Sequence, residues 1–320
     1  MPFEFRYGVY GVHLFFLVSG YVILMSAERV KRASDFVVTR FARLFPVYWI
    51  AVTWSILIAL ALEPVDVAQT WRDRLLNYTM LQRWIGAANV DSVYWTLAIE
   101  IQFYALVFVL LLLTRCRLKA PWVLSASAAW LALAFITAFI FGAYSRGHAL
   151  SETASPYKEI FNLVLTEYAP LFCTGMFAFM ARRGQRGMWP IAIGCGVLSS
   201  YVAFAMHKSK PGIVVAILCG VFLLVCALPA VPPLRWGPLQ WVGRISYSLY
   251  LVHNVTGLAI IHLLVPVVGR VPAMLVAFIV VCFLARILYA VGEVWAARRT
   301  RFTLTRWRDR YLPAPGPSSV

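Results

Sequence analysis

The sequence predicts an all-α, polytopic membrane protein on three observations: 62% of its 320 residues are hydrophobic, 13% are charged, and apolar runs of membrane-spanning length recur along the chain. With a mean hydropathy of +0.77, this usage is far from that of soluble domains, where about 45–50% of residues are apolar and about 25% charged. A span needs roughly 20 apolar residues, and nine runs qualify: 9–27, 44–62, 94–114, 121–143, 160–181, 189–206, 212–230, 242–265 and 271–291. Loops this short leave no room for a soluble domain, so 1–297 reads as one membrane domain, followed by a basic, partly disordered tail over 298–320.

The elements follow in order. Val9 to Ala27 lacks a basic region before it and a small-residue cleavage site after it, so it is a retained helix rather than a signal peptide. The segment ERVKRASDFVVTRFARLFPVYW then offers Arg29, Lys31, Arg32, Arg40 and Arg43 on what reads as one short loop at the bilayer surface, a place to hold an anion. Glu63-Pro64 stops the second span, and the longest connection, 63–93, contains WRDRLLNYTML at helical spacing, expected to lie along the interface. Pro121 opens the fourth span, Gly184 and Gly187 mark a loop, and Pro229, Pro232, Pro233 and Pro238 interrupt the apolar run before the eighth. Pro266 ends that helix, and PAPGPSSV reads as a disordered terminus. The six cysteines form no C-x-x-C pair and sit mostly in apolar runs, where they behave as small hydrophobes; neither a disulfide nor a metal site is expected.

Lys and Arg accumulate on cytoplasmic loops. The loops after spans one, three, five and seven and the tail hold 19 of them, against 9 on the alternate side. The C-terminus is therefore expected in the cytoplasm and the N-terminus outside. The net charge of +16 follows from this topology and from attraction to anionic lipid, without any need for nucleic acid. Ionisable residues within spans are costly, about 3 kcal/mol or more, and mark candidate interiors: Glu100, Glu167, His253 near mid-membrane, Arg286 and Glu293. The last two read as a structural or snorkelling pair. His253, from sequence alone, is more often a hydrogen-bonded core histidine than a base.

Four segments in sequence, GVYGVHLFFLVSGYVI, TRFARLFPVYW, NYTML with VYWTLAIEIQFY, and VGRISYSLYLVH, resemble the integral-membrane acyltransferase family 3, over about residues 8–295. The resemblance implies a bacterial inner-membrane enzyme that transfers acyl groups from cytoplasmic acyl-CoA, acetyl-CoA above all, to hydroxyls of extracytoplasmic glycans, with no bound cofactor. It places Arg40 and Arg43, with Arg32 nearby, at the acyl-CoA, and Trp95, Leu97 and Glu100 in the functional core; Ser246, Tyr247, Tyr250 and His253 match the family's late Ser-Tyr helix. Ser19, Trp95, Tyr247 and Tyr250 are expected pocket residues, and Glu100 and His253 the candidate catalytic groups. Family members usually have ten core helices, the first carrying an Arg and a His base, and Met1 aligns just before the second. The chain therefore reads as N-terminally incomplete, and His13 stands where relatives have Asp rather than replacing that base. A transporter or flippase for an anionic or lipid-linked substrate, and an inactive truncated homologue, stay open at this level.

Overall fold

The computed structural model of the protein describes residues 10–62, 70–145, 165–207 and 209–311. No strand occurs among them. The helices are α1 (Gly11–Ala27), α2 (Ala33–Leu62), α3 (Trp71–Asn77), α4 (Trp95–Leu113), α5 (Ala120–Ser145), α6 (Ala169–Arg182), α7 (Met188–His207), α8 (Ser209–Ala227), α9 (Gly237–Val268), α10 (Arg270–Leu288) and α11 (Ala297–Tyr311). A π-helical turn, Tyr289–Ala296, joins the last two. Among the described residues, six stretches are long and apolar enough to cross a membrane, and Gly11–Ala27 and Pro211–Ala227 are shorter apolar helices. The chain is an integral membrane protein built as a helical bundle.

Three elements depart from the sequence expectation. α2 starts at Ala33, so Arg40 and Arg43 stand on the helix and not on a surface loop; only Arg29, Lys31 and Arg32 remain in the turn before it. The basic residues lower the hydropathy there, but the helical period continues: Phe36, Arg40, Leu44, Val47 and Ala51 form one buried stripe. Pro46 is accepted within it, as membrane helices allow. α6 starts only at Ala169, so Glu167 lies half-buried in the preceding turn and not within a span; residues 160–164 lie outside the described residues. Finally, α10, the π turn and α11 form one apolar-to-basic run of 42 residues, Arg270–Tyr311, about 63 Å long at 1.5 Å per residue. The basic tail is thus helical as far as Tyr311, and PAPGPSSV lies outside the described residues.

The chain divides into two compact units. The first comprises 1–33 and 99–231, and the second 34–98 and 232–320. In the first, α6 is buried from Ala169 to Ala181. It crosses α1 at glycines: a Cβ on Gly20 would overlap the Phe172 carbonyl oxygen, and one on Gly175 would overlap the Leu17 carbonyl oxygen and lie 2.8 Å from the Tyr21 nitrogen. Small residues let membrane helices approach this closely, with dispersion as the driving force. Beside the crossing, Phe172 stacks on Phe103 at 4.0 Å between ring centroids and meets Phe16 at 5.0 Å.

The second unit is joined by side-chain hydrogen bonds. Tyr48 donates to the Asn77 carbonyl at 2.8 Å, Trp54 Nε1 donates to Thr256 Oγ1 at 3.0 Å, and Tyr94 donates to the Leu251 carbonyl at 3.1 Å. α2 and the terminal helix run antiparallel: Gly292 rests against Val47, and further out Arg308 forms an ion pair with Asp35.

Candidate active site

The second unit gathers most of the sequence candidates, at two levels along α9. At the first, α3 and the loop after it form a cap. Thr70 and Asp73 make a reciprocal capping box, and the hydrogen bonds from Thr70 hold the Asp73 carboxyl below the usual aspartate range. Asn77 donates to the Asp73 and Ala88 carbonyls (2.7 and 2.8 Å) and accepts from Val90 N (3.0 Å), which folds the loop back onto α3.

Asp91 follows, 1% exposed. One carboxylate oxygen accepts from Asn254 Nδ2 at 2.8 Å and from Val93 N at 3.2 Å, and the other from Val255 N at 3.3 Å. Burial pushes its pKa up, and these donors pull it back only in part. Leu251 O and Val255 N, the two atoms of one rung of the α9 ladder, both engage the residues that lead into α4, through Tyr94 and Asp91 respectively.

This contact fixes His253. Its neighbour Asn254 is bound to Asp91 and Ser92, so His253 lies level with the residues that lead into α4. Its ring is exposed, and Nδ1 lies 2.8 Å from the Tyr250 carbonyl. A carbonyl only accepts, so Nδ1 carries the proton of this contact, and Nε2 is the ring nitrogen directed away from it. Tyr250 OH donates to the Val93 carbonyl at 2.7 Å and lies 2.6 Å from Thr96 Oγ1. Trp95 is half-buried at the start of α4.

The second level lies about six residues, or roughly 9 Å, back along α9. Tyr247 OH reaches the Leu44 carbonyl at 3.5 Å, and Ser248 N and Oγ both donate to Glu293 Oε1, at 3.1 and 2.5 Å. Arg43 is exposed and stands next to Leu44 on α2. Arg40 is 6% exposed, with its guanidinium 5.6 Å from the centre of the Phe36 ring. Arg40 and Arg43, three apart, therefore do not share one exposed face: one points into the protein and the other out. Ser246 is exposed and donates to the Gly243 carbonyl.

Three candidates belong to the first unit. Glu100 is 5% exposed and accepts a hydrogen bond from Tyr104 one turn along α4. Ser19 is buried on α1, beside Gly20. Arg32 is half-buried in the turn before α2. His13 is half-buried between Tyr10 and Tyr168.

Sequence reasoning missed Asp91, Asn254, Thr96, Ser248 and the role of Glu293. Asp91 had a local signal, Asp-Ser ahead of an apolar helix, the pattern of a cap. Glu293 had a misleading one: Arg286, seven residues before it, lies over the ring of Tyr289 instead, while Glu293 binds α9.

Comparison with known proteins agrees with this picture. The family model described as an acyltransferase domain matches residues 3–290. The chain is 27% identical over 277 residues to BcsY of Komagataeibacter xylinus, named as a membrane-bound transacylase, covering 77% of this chain and 65% of that protein. It is 26% identical over 271 residues to the acyltransferase MdmB of Streptomyces mycarofaciens, covering 77% of this chain and 67% of that protein. It is 23% identical over 281 residues to the peptidoglycan O-acetyltransferase OatA of Listeria monocytogenes, covering 77% of this chain and 44% of that protein. The chain thus spans about two thirds of the length of the first two and less than half of the third. No solved structure matches it. A helical membrane body, the four motifs in order, and a family match over nearly the whole length make this chain a member of the membrane acyltransferase family.

Proposed function

We propose that the protein transfers an acyl group, acetyl above all, from acyl-CoA on the cytoplasmic side of the bacterial inner membrane to a hydroxyl of an extracytoplasmic glycan or similar acceptor. The observation that carries the reading is Arg40. A cation kept only to set topology snorkels toward headgroups and water; Arg40 is instead buried on an apolar stripe of α2, which suits an interior that receives an anion. Arg40 and Arg43 are assigned to the CoA phosphates, for which guanidinium supplies charge-assisted, bidentate hydrogen bonds; Arg32 extends the basic entry.

The chemistry needs a base and a donor to the oxyanion. The base removes the acceptor proton as its oxygen attacks the thioester carbon. The carbonyl oxygen becomes an oxyanion, and the C–S bond then breaks to release CoA as the thiol, which takes up the proton. His253 is assigned as that base through Nε2, and Tyr250, Tyr247 and Trp95 shape the pocket or donate to the oxyanion. Glu100, with Tyr104, orients the reactants. The thioester is already activated, so no resident cofactor is required. The names of the relatives fit: BcsY as a transacylase, and OatA as a peptidoglycan O-acetyltransferase.

The test is acetyl-CoA binding and acetyl transfer to glycan acceptors in membranes carrying the chain. Arg40→Ala is expected to weaken acetyl-CoA binding about tenfold or more, since a charge-assisted hydrogen bond contributes about 1.5–3 kcal/mol. His253→Gln is expected to leave binding intact and lower transfer about a hundredfold. Binding unchanged in both Arg40→Ala and Arg43→Ala would sink the reading.

A further inference from the structure

Glu293 is an acid placed beside a site read as taking a polyanion, and on electrostatic grounds alone it works against that site. Its setting is nevertheless built. The carboxylate projects from a π-helical turn, Tyr289–Ala296, a feature that inserts one residue into the helix and is frequent at functional sites. Upstream, the buried stripe Ala273, Ala277, Val281, Ala285, Leu288 and Gly292 advances by three or four residues. It brings Gly292 against Val47, where an added Cβ would lie 2.7 Å from the Val47 side chain. The next residue, Glu293, receives both the backbone N–H and the hydroxyl of Ser248 on one oxygen. Three segments meet there: α2 at Leu44 and Val47, with Arg43 the residue before Leu44, α9 at Tyr247 and Ser248, and the π turn.

We propose that Glu293 is a positioning residue for the acyl donor: it binds Ser248 and opposes Arg43, so that the Arg43 guanidinium and the Ser-Tyr face of α9 are held at one level, ready for the donor phosphates. The proposal rests on the donor reading given above and adds to it a residue outside the family motifs. It also makes a prediction opposite in sign to simple charge. A bystander carboxylate beside an anion site repels the ligand, and its neutralisation tightens binding. A carboxylate that orders the cation has the reverse effect, because a released arginine must be ordered again each time the donor binds.

The experiment measures the affinity of detergent-purified full-length protein for acetyl-CoA in wild type, Glu293→Gln, Glu293→Asp, Ser248→Ala, Arg43→Ala and the double variant Arg43→Ala/Glu293→Gln. Glu293→Gln is expected to weaken binding about tenfold, with partial recovery in Glu293→Asp, and to have less than about a twofold effect once Arg43 is alanine, as coupled neighbours require. Unchanged or tighter binding in Glu293→Gln overturns the proposal, as does an equal loss with and without Arg43, which is the mark of a general structural role. If Glu293→Gln does not fold, Ser248→Ala decides in its place: it keeps the charge and removes the hydroxyl donor, with a loss of about threefold expected only when Arg43 is present. Equal loss in both backgrounds, or none, refutes it. Should Arg40→Ala and Arg43→Ala themselves leave binding untouched, the donor reading fails first. If they weaken it and Glu293→Gln does not, only this inference falls.

Discussion

The first unit is joined where side chains are missing, and the second where they are polar. At the crossing of α1 and α6, Gly20 and Gly175 bring two backbones into direct contact, and the neighbouring surface is aromatic and aliphatic. In the second unit, α4 and α9 meet through Asp91, Tyr94, Tyr250 and Asn254, each with a named partner. Lipid tails are as apolar as leucine, so close fit is the main source of helix association where no polar group is available. Polar stitching is costlier to assemble, but it fixes the rotation and register of the partner helix. The candidate site residues Tyr247, Tyr250 and His253 of α9 belong to the stitched unit.

Gly175→Leu should break this contrast hardest. The new side chain meets the Leu17 carbonyl oxygen and the Tyr21 amide, neither of which can swing away, and a cost of about 3 kcal/mol or more is expected as a lowered thermal transition in detergent. Wild-type stability would mean that the two helices are not in contact.

Asp91→Ala comes next, with an expected loss of about 2–4 kcal/mol, because Asn254, Val93 and Val255 lose their shared acceptor in a buried place. Asp91→Asn sharpens the comparison through pH. Burial raises the Asp91 pKa, so its contribution is fully present below the unfolded value, about 3.9, and is lost as pH rises through the folded one. The stability advantage of wild type over Asp91→Asn should therefore grow on acidification. Asp73, lowered by Thr70, has the opposite sign: its contribution is present above the unfolded value and is lost as pH falls through the folded one. Urea or thermal midpoints of Asp91→Asn and Asp73→Asn across pH 3–7 check both slopes. The smallest effect is expected from Gly194→Ala on α7. Nothing lies within 4 Å of the added methyl, so a change within about 1 kcal/mol, in the stabilising direction, follows from helix propensity alone.

Legibility in the sequence followed the range of the interaction. Long apolar runs such as Trp95–Leu113 and Ala120–Ser145 announce themselves, and so do Pro and Gly at helix ends, because those signals are local. The start of α2 was hidden because Arg29 to Arg43 reads as a loop by charge while the helical period runs on through Phe36, Arg40 and Leu44. α6 has 14 residues, yet the sequence predicts a full span there because the apolar run continues upstream of it. Within the site, Arg40, Arg43, Tyr247, Tyr250 and His253 came from motifs. Their partners did not, because Asn254 finds Asp91 from 163 residues away and Ser248 finds Glu293 from 45, and no local pattern encodes such a meeting.

The π turn before α11 also sets a phase. An extra residue in one turn rotates everything downstream by about 100° relative to an uninterrupted α-helix. Beyond it, Arg308 faces Asp35, while Arg299 and Arg306 lie over the rings of Trp295 and Phe302. Removing a single residue between Tyr289 and Ala296 would swing Arg308 off its anchor and turn the arginines toward a different neighbour. Chain length, more than side-chain identity, is what this end of the molecule holds fixed.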